Sequence, residues 1–184
     1  AAIADVTLDF PDGSLTAIIG PNGAGKSTFF NLISGGIVPD AGSVKLGGRD
    51  LVGASRAEFI KAGIGRAFQI AKIFPSLTVE ETLLGAISAH QGHSANLWKR
   101  FPLPETRDRI GHVAHMLGLA DKLHLLSANL SHGDQKLLDI ALALVLEPRV
   151  LLLDEPTAGM GPEERWRMID RVYQLWETEK ITLV

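Results

Sequence analysis

A glycine-rich segment at residues 20–28 carries the most specific chemical pattern in the sequence. Four of its residues match the spacing G-x-x-x-x-G-K-[ST] without a mismatch: Gly20, Gly25, Lys26 and Ser27. Glycines let backbone N–H groups converge on phosphate oxygens, lysine reaches the β- and γ-phosphates, and the serine hydroxyl is a Mg²⁺ ligand. The pattern predicts a site for a nucleoside triphosphate with Mg²⁺. The predicted nucleotide-binding residues are Gly20, Pro21, Asn22, Gly23, Ala24, Gly25, Lys26, Ser27 and Thr28.

A second candidate is the carboxylate pair Asp154 and Glu155, which follows the apolar run 150–153. Parallel sheets place their ligand crevices at the carboxyl ends of strands. Asp154 is therefore predicted to hold Mg²⁺ together with Ser27, and Glu155 to polarise the attacking water, because phosphoryl transfer depends on positioning and charge stabilisation. Such a pair is also common at ordinary solvated strand ends, and the phosphate loop is what favours the catalytic interpretation.

The base is predicted to be adenine. The sequence contains no Asn-Lys-x-Asp motif, which argues against a GTPase. The separation between Lys26 and Asp154 leaves room for a large insertion within the nucleotide-binding fold. In a minimal nucleotide kinase fewer residues would separate the two motifs.

The elements that must position these residues alternate between strands and helices. Pro11-Asp12-Gly13 predicts a hairpin turn between two short antiparallel strands. Thr78 and Glu81 predict a capping box at a helix start. The predicted strands are 6–10, 15–19, 42–48, 64–69, 150–153 and 181–184, and the predicted helices follow the phosphate loop to 35 and cover 78–88, 105–116, 135–146 and 162–178. This order predicts the α/β class, with a mainly parallel sheet, a small antiparallel β subdomain at the N-terminus and a helical insertion.

Composition and charge indicate the compartment of the protein and argue against nucleic-acid binding and a membrane span. The 184 residues carry a formal net charge of −3 and no cysteine, so the sequence favours a reducing, cytosolic compartment and no nucleic-acid partner. No apolar run approaches the roughly 20 residues of a membrane span. Both ends are expected to be cut from a longer protein, because the chain opens without Met and stops on an apolar run.

The segment Leu130-Ser131-His132-Gly133-Asp134-Gln135 resembles the signature motif of ATP-binding cassette (ABC) ATPases. The resemblance covers essentially the whole chain, with Gln69 at the Q-loop position and residues 158–161 at the D-loop. It implies a P-loop ATPase in which two cassettes clasp two ATP molecules head to tail. Gln69 would then ligate Mg²⁺ and serve with Lys26 and Glu155 in catalysis. The residues implied to act in trans are Ser131, His132, Gly133, Asp134 and Gln135.

The resemblance also implies partners and an internal division. One ABC nucleotide-binding domain would span residues 1–184, with 1–70 and 148–184 as core and β subdomain and 71–147 as helical subdomain. Transmembrane permease subunits would receive the motion at 70–84, which includes Phe74, Pro75 and Leu77. The cassette would then lie on the inner face of the membrane.

The signature variant, with His132 and Asp134 where the commonest motif has Gly and Gln, is similar to bacterial importers of branched-chain amino acids, amides and urea. The adenine-stacking aromatic and the switch histidine of the family are expected to lie outside the chain, since Phe10 fits a core position better. Two alternatives stay open. One is a soluble, non-transport ABC ATPase, and the other is a nucleotide-binding fragment without turnover.

Overall fold

The computed structural model describes residues 3–67, 74–91 and 104–184. Three short strands and two helices lie in residues 3–67, and the remaining elements lie in the other two ranges. The helices are α1 (Lys26–Ile33), α2 (Arg56–Ala62), α3 (Val79–Gln91), α4 (Pro104–Met116), α5 (His132–Leu144) and α6 (Pro162–Glu179), and the strands are β1 (Lys45–Leu46), β2 (Arg49–Asp50), β3 (Ile64–Ala67), β4 (Val150–Leu153) and β5 (Thr182–Leu183).

A three-stranded parallel sheet in the order β3-β4-β5 organises the fold. In its register Ile64 lies opposite Val150, and Val150 lies opposite Thr182. The chain ahead of the phosphate loop joins the open edge of β5, because Thr16 N–H donates to the Leu183 carbonyl at 2.8 Å and Leu183 N–H donates to the Ser14 carbonyl at 2.8 Å. The phosphate loop and β4 are therefore carried by one parallel array.

Strand β4 is covered on both faces. Leu151 and Leu153 belong to a large apolar cluster built with α3, α4 and α5. Leu152 belongs to a second cluster with Phe30 and Phe59, which lie on α1 and α2. Burial on both faces explains why β4 is a continuous apolar run rather than an alternating one. The predicted α/β class with a mainly parallel sheet is confirmed.

The antiparallel pair lies elsewhere than predicted. Ser14 N–H donates to the Pro11 carbonyl at 3.0 Å, so the turn forms, but 6–10 and 15–19 do not form a hairpin of strands. Val6 and Leu8 of the first run are 52% and 58% exposed, whereas Phe10 is half-buried and packs against Phe29, and Leu15 pairs in parallel with Leu183. The alternating pattern of 6–10 therefore forms no strand, and Phe10 packs against the core as its predicted core position requires. The antiparallel pair is β1-β2.

Helix α2 was not predicted, although the sequence carries its signal. Ser55 caps the helix in a capping box with Glu58, and Gly63 ends it in a left-handed conformation. Hydrogen bonds from the backbone N–H and then the hydroxyl of Ser55 lower the pKa of Glu58. The same device was predicted correctly at α3, where Thr78 N–H donates to Glu81 at 2.8 Å.

Most other boundaries agree with the predictions. The predicted strand 150–153 is confirmed as β4, and the predicted helices 105–116 and 162–178 correspond to α4 and α6. Helix α5 begins three residues earlier than predicted, because Ser131 caps it. Within the described ranges, none of the helices combines the length and the apolar character that a bilayer crossing requires.

Candidate nucleotide-binding site

The phosphate loop forms a tight turn into α1. Gly23 and Gly25 have φ of 84° and 89°, a left-handed conformation that side chains disfavour. Ala24 N–H donates to the Pro21 carbonyl at 3.2 Å, which closes the turn. Gly25 is the N-cap of α1, so Lys26 and Ser27 stand in the first helical turn, where backbone N–H groups lack helical acceptors. The loop therefore aims donors and the helix dipole at one place.

Lys26 closes over this loop. Its ammonium donates to the carbonyl of Gly20 at 2.7 Å and to that of Pro21 at 3.0 Å. A cation is thus held at the mouth of the loop, at the start of a helix with positive potential. Anionic phosphate fits this arrangement.

Asp154 and Glu155 follow the carboxyl end of β4, at the edge of the sheet where the phosphate loop begins. Residues 14–16, β5 and β4 run in parallel, so the segments that leave them emerge on the same side. Two motifs that are far apart in sequence are brought to one edge.

Asp154 is held by a buried ion pair. Arg66 on β3 places Nη2 3.0 Å from Asp154 Oδ2, and the two side chains are 11% and 9% exposed. Arg66 was not singled out in the sequence analysis. Its signal was a lone charge in a short strand that is otherwise apolar, since a buried charge requires partners.

Glu155 is exposed and has φ of 50°, a left-handed conformation that is uncommon for a residue with a side chain. Ala158 N–H donates to the Glu155 carbonyl at 3.0 Å and closes a turn directly after the strand. Strain of this kind persists where the surroundings determine the backbone, and it is frequent at functional sites.

Helix α5 reaches the same strand end. Lys136 donates to the Ala158 carbonyl at 2.8 Å, and Asp139 is 6% exposed. Asp139 was also missed, because in sequence it reads as one polar residue in an apolar helix. A small cavity is lined by Ala67, Lys136, Asp139, Ile140, Leu153, Asp154, Glu155 and Pro156.

The signature segment forms the start of α5. Ser131 Oγ accepts from Asp134 N–H at 3.1 Å and donates to Asp134 Oδ2 at 2.7 Å, and Lys122 pairs with Asp134 Oδ1 at 2.8 Å. Gln135 Nε2 donates to the Leu130 carbonyl at 3.3 Å.

This segment lies beside the residues after Glu155. A Cβ on Gly159 would meet His132 at 3.7 Å, and one on Gly133 would meet Glu164 at 3.8 Å. Both are ordinary contacts. The start of α5 therefore lies beside the turn that follows β4 and beside the start of α6.

The structure describes two of the three predicted Mg²⁺ ligands, Ser27 and Asp154. Ser27 and Asp154 supply hydroxyl and carboxylate oxygens, the donors that Mg²⁺ prefers, and the Arg66 ion pair uses Oδ2 of Asp154 rather than Oδ1. This donor set fits the ion. Gln69 lies outside the described residues. Of the predicted partner-facing residues, Phe74 is 60% exposed and Pro75 is exposed, whereas Leu77 is half-buried.

Comparisons with known proteins agree with this geometry. The family model described as ABC transporter matches residues 3–158. The branched-chain amino acid transport ATP-binding protein LivG of Salmonella typhimurium is 32% identical over 100% of this chain and 74% of its own length. BraF of Pseudomonas aeruginosa, of the same description, is 33% identical over 89% of this chain and 66% of its own length.

A solved structure agrees as well. The ADP conformation of MJ1267, an ATP-binding cassette of an ABC transporter, superposes with a TM-score of 0.84 at 31% identity, over 99% of this chain and 73% of that one. A phosphate loop and an acidic strand end on one edge of a parallel sheet define a P-loop ATPase. The chain belongs to the ABC transporter family and is an ATP-binding, ATP-hydrolysing cassette.

Proposed function

We propose that ATP binds at residues 20–28 and is hydrolysed at the end of β4. The observation that carries this proposal is the shared sheet edge, where the phosphate loop and the pair Asp154 and Glu155 leave parallel segments on either side of β5. Neither motif alone implies hydrolysis. Together they supply a phosphate cradle, a metal ligand and a base within one crevice.

Each residue then has a separate task. The ammonium of Lys26 gives up its hydrogen bonds to the loop carbonyls and donates to β- and γ-phosphate oxygens instead. Ser27, Asp154 and Gln69 would hold Mg²⁺, which would neutralise charge on the phosphates. Glu155 accepts the proton of the water that attacks the γ-phosphorus, so the bond from that phosphorus to the bridging oxygen breaks and ADP leaves.

A second cassette, either another copy of this chain or a different ABC subunit, would complete the site. We propose that the signature residues Ser131, His132, Gly133, Asp134 and Gln135 of one chain face the γ-phosphate bound by the other. The start of α5 supports this role, since Ser131 caps the helix there and the N-terminus of a helix favours an anion.

The transport role rests on the relatives. LivG and BraF are described as branched-chain amino acid transport ATP-binding proteins. We propose that this chain energises import of a related small solute and that its permease docks at the surface around Phe74 and Pro75. It would then lie on the cytoplasmic face of the membrane, with 71–147 as the helical subdomain and 1–70 with 148–184 as the core.

The proposed hydrolysis is tested by phosphate release at high protein concentration from the wild-type chain and its Glu155→Gln variant. Loss of a positioned base reduces turnover by about 10²–10⁴-fold. We expect Glu155→Gln to fall in that range and to bind Mg–ATP as the wild type does. The matched control is Glu177→Gln, an exposed site on α6, which keeps wild-type turnover. Equal turnover in Glu155→Gln and wild type would remove Glu155 from the reaction.

A further inference from the structure

Arg66 is a largely buried cation on β3, which pairs with β4 in the parallel sheet. It lies on β3 between Gly65 and Ala67, which are both buried, and its side chain is 11% exposed. A charge removed from water in this way is tolerated only with close partners. The identity of those partners shows what the residue does.

The guanidinium of Arg66 joins two elements that carry opposite halves of the nucleotide site. Nη1 donates to Asn31 Oδ1 at 2.7 Å and to Ser34 Oγ at 2.9 Å, and both acceptors lie on the chain of α1 or its C-cap. Nη2 donates to Asp154 Oδ2 at 3.0 Å, beyond the end of β4. One planar fork therefore ties the phosphate-loop helix to the acidic strand end.

The elements explain why these side chains meet. Arg66 lies opposite Leu152 in the parallel register, so Asp154, two residues further on, leaves β4 on the same face. Asn31 and Ser34 are three residues apart and share one side of α1. That helix packs on the same face, since Phe30 and Leu152 belong to one cluster.

The contact also orients the carboxylate of Asp154. The ion pair fixes Oδ2, and rotation of the group about its bond to Cβ is thereby restricted. Oδ1 is left outside this ion pair, and the same guanidinium is bound to Asn31 of α1, the helix whose first turn carries Ser27. Residues that hold a metal ligand in this way commonly change metal affinity by 10–100-fold when replaced.

We infer that Arg66 is a positioning residue that sets the affinity of the site for the Mg²⁺ complex of ATP by holding Asp154 at a fixed distance from Ser27. This inference rests on the proposed function of those two residues. Arg66 is not among the residues proposed to bind the nucleotide or the ion. Its effect is therefore expected in the Mg²⁺ dependence of binding and not in the affinity for free ATP.

The test is nucleotide binding by the whole chain, measured with excess Mg²⁺ and again with EDTA. Arg66→Lys keeps the charge but loses the fork that reaches three oxygens. We expect the Mg–ATP affinity of Arg66→Lys to fall by about tenfold and the free-ATP affinity to stay within twofold. The matched control, Arg49→Lys at an exposed position of β2, should change neither value.

A double-mutant cycle shows whether Arg66 acts through Asp154. In an Asp154→Asn background, Arg66→Lys should cause no further loss of Mg–ATP affinity, because the ligand that it orients is gone. Additive losses would overturn the inference. Equal losses of Mg–ATP and free ATP would also overturn it, since they would mean that Arg66 only supports the loop.

Asn31→Ala covers the case in which Arg66→Lys does not fold. It removes one acceptor on α1 and leaves the ion pair, so we expect a smaller loss confined to Mg–ATP, and an unchanged Mg–ATP affinity would count against the inference. The two proposals fail differently. If the wild-type chain binds no ATP with or without Mg²⁺, the proposed function is refuted. If Mg²⁺ strengthens ATP binding by the wild type and Arg66→Lys binds Mg–ATP equally well, only the role of Arg66 is refuted.

Discussion

The ammonium of Lys26 donates to the carbonyl oxygen of Gly20 at 2.7 Å, across the mouth of the phosphate loop. The first and seventh residues of the loop motif therefore contact each other directly. Phosphate must compete with this hydrogen bond, whose donor is already ionised, and it has the advantage that it brings a negative charge where the carbonyl brings none. The loop is held in shape by the residue that is proposed to bind its ligand.

Gly133→Ala separates the fold of α5 from its proposed contact with a second cassette. Within the chain an added Cβ would be 3.8 Å from Glu164, an ordinary contact, and alanine favours the helix. We expect unchanged or slightly higher thermal stability. Phosphate release should nevertheless fall by tenfold or more, because the methyl group would stand between the helix start and the partner's γ-phosphate.

The control for that variant is Gly111→Ala, which adds the same methyl group to α4 in open space. Phosphate release should keep its wild-type rate there. If Gly133→Ala hydrolyses ATP as fast as Gly111→Ala, the proposed approach of the signature segment to a second nucleotide is wrong.

Gly35 is expected to tolerate no side chain. It follows α1 with φ of 69°, and a Cβ would lie 2.6 Å from Cδ2 of Phe59. Gly35→Ala should therefore lower the free energy of unfolding by about 2 kcal/mol or more, from backbone strain and overpacking together. Gly111→Ala should raise it by up to about 1 kcal/mol. Urea unfolding of both variants measures the difference, and equal midpoints would contradict the packing described for Phe59.

The capping box of α2 predicts a stability effect that depends on pH. The pKa of Glu58 is lowered in the folded chain, so the carboxylate contributes stability at neutral pH and loses it as the pH falls through that lowered pKa. Glu58→Ala should therefore unfold at a lower temperature than wild type at pH 7. The gap should narrow at pH 3, and thermal unfolding at both values tests this. A gap that widens in acid would contradict the capping role.

The sequence was sufficient for the parts of the fold that local chemistry determines. Glycine spacing predicted the turn into α1, and the run 150–153 predicted β4, because these signals are contained within a few residues. The hairpin failed for the opposite reason. The alternating pattern is typical of strands, but Leu15 pairs with Leu183 of β5 rather than with residues 6–10. A partner so distant in sequence cannot be recognised from the segment itself.

The residues of the candidate site likewise fall into those that a local motif identifies and those whose role depends on distant elements. Lys26, Asp154 and Glu155 were predicted from motifs, whereas Arg66 and Asp139 were missed. Each of the missed residues is a single polar side chain in an apolar element, and its meaning depends on what the other elements bring to it. Arg66 gains its role only when α1 and β4 pack on either side of one guanidinium.

The most direct measurement is calorimetric titration of Mg–ATP into the wild-type chain, Lys26→Met and the exposed control Lys61→Met. We expect the wild type and Lys61→Met to bind one nucleotide per chain with the same affinity. Loss of a charge-assisted hydrogen bond costs about 1.5–3 kcal/mol, so Lys26→Met should bind at least about tenfold more weakly. Equal affinity in all three proteins would contradict the assignment of residues 20–28 as the ATP site.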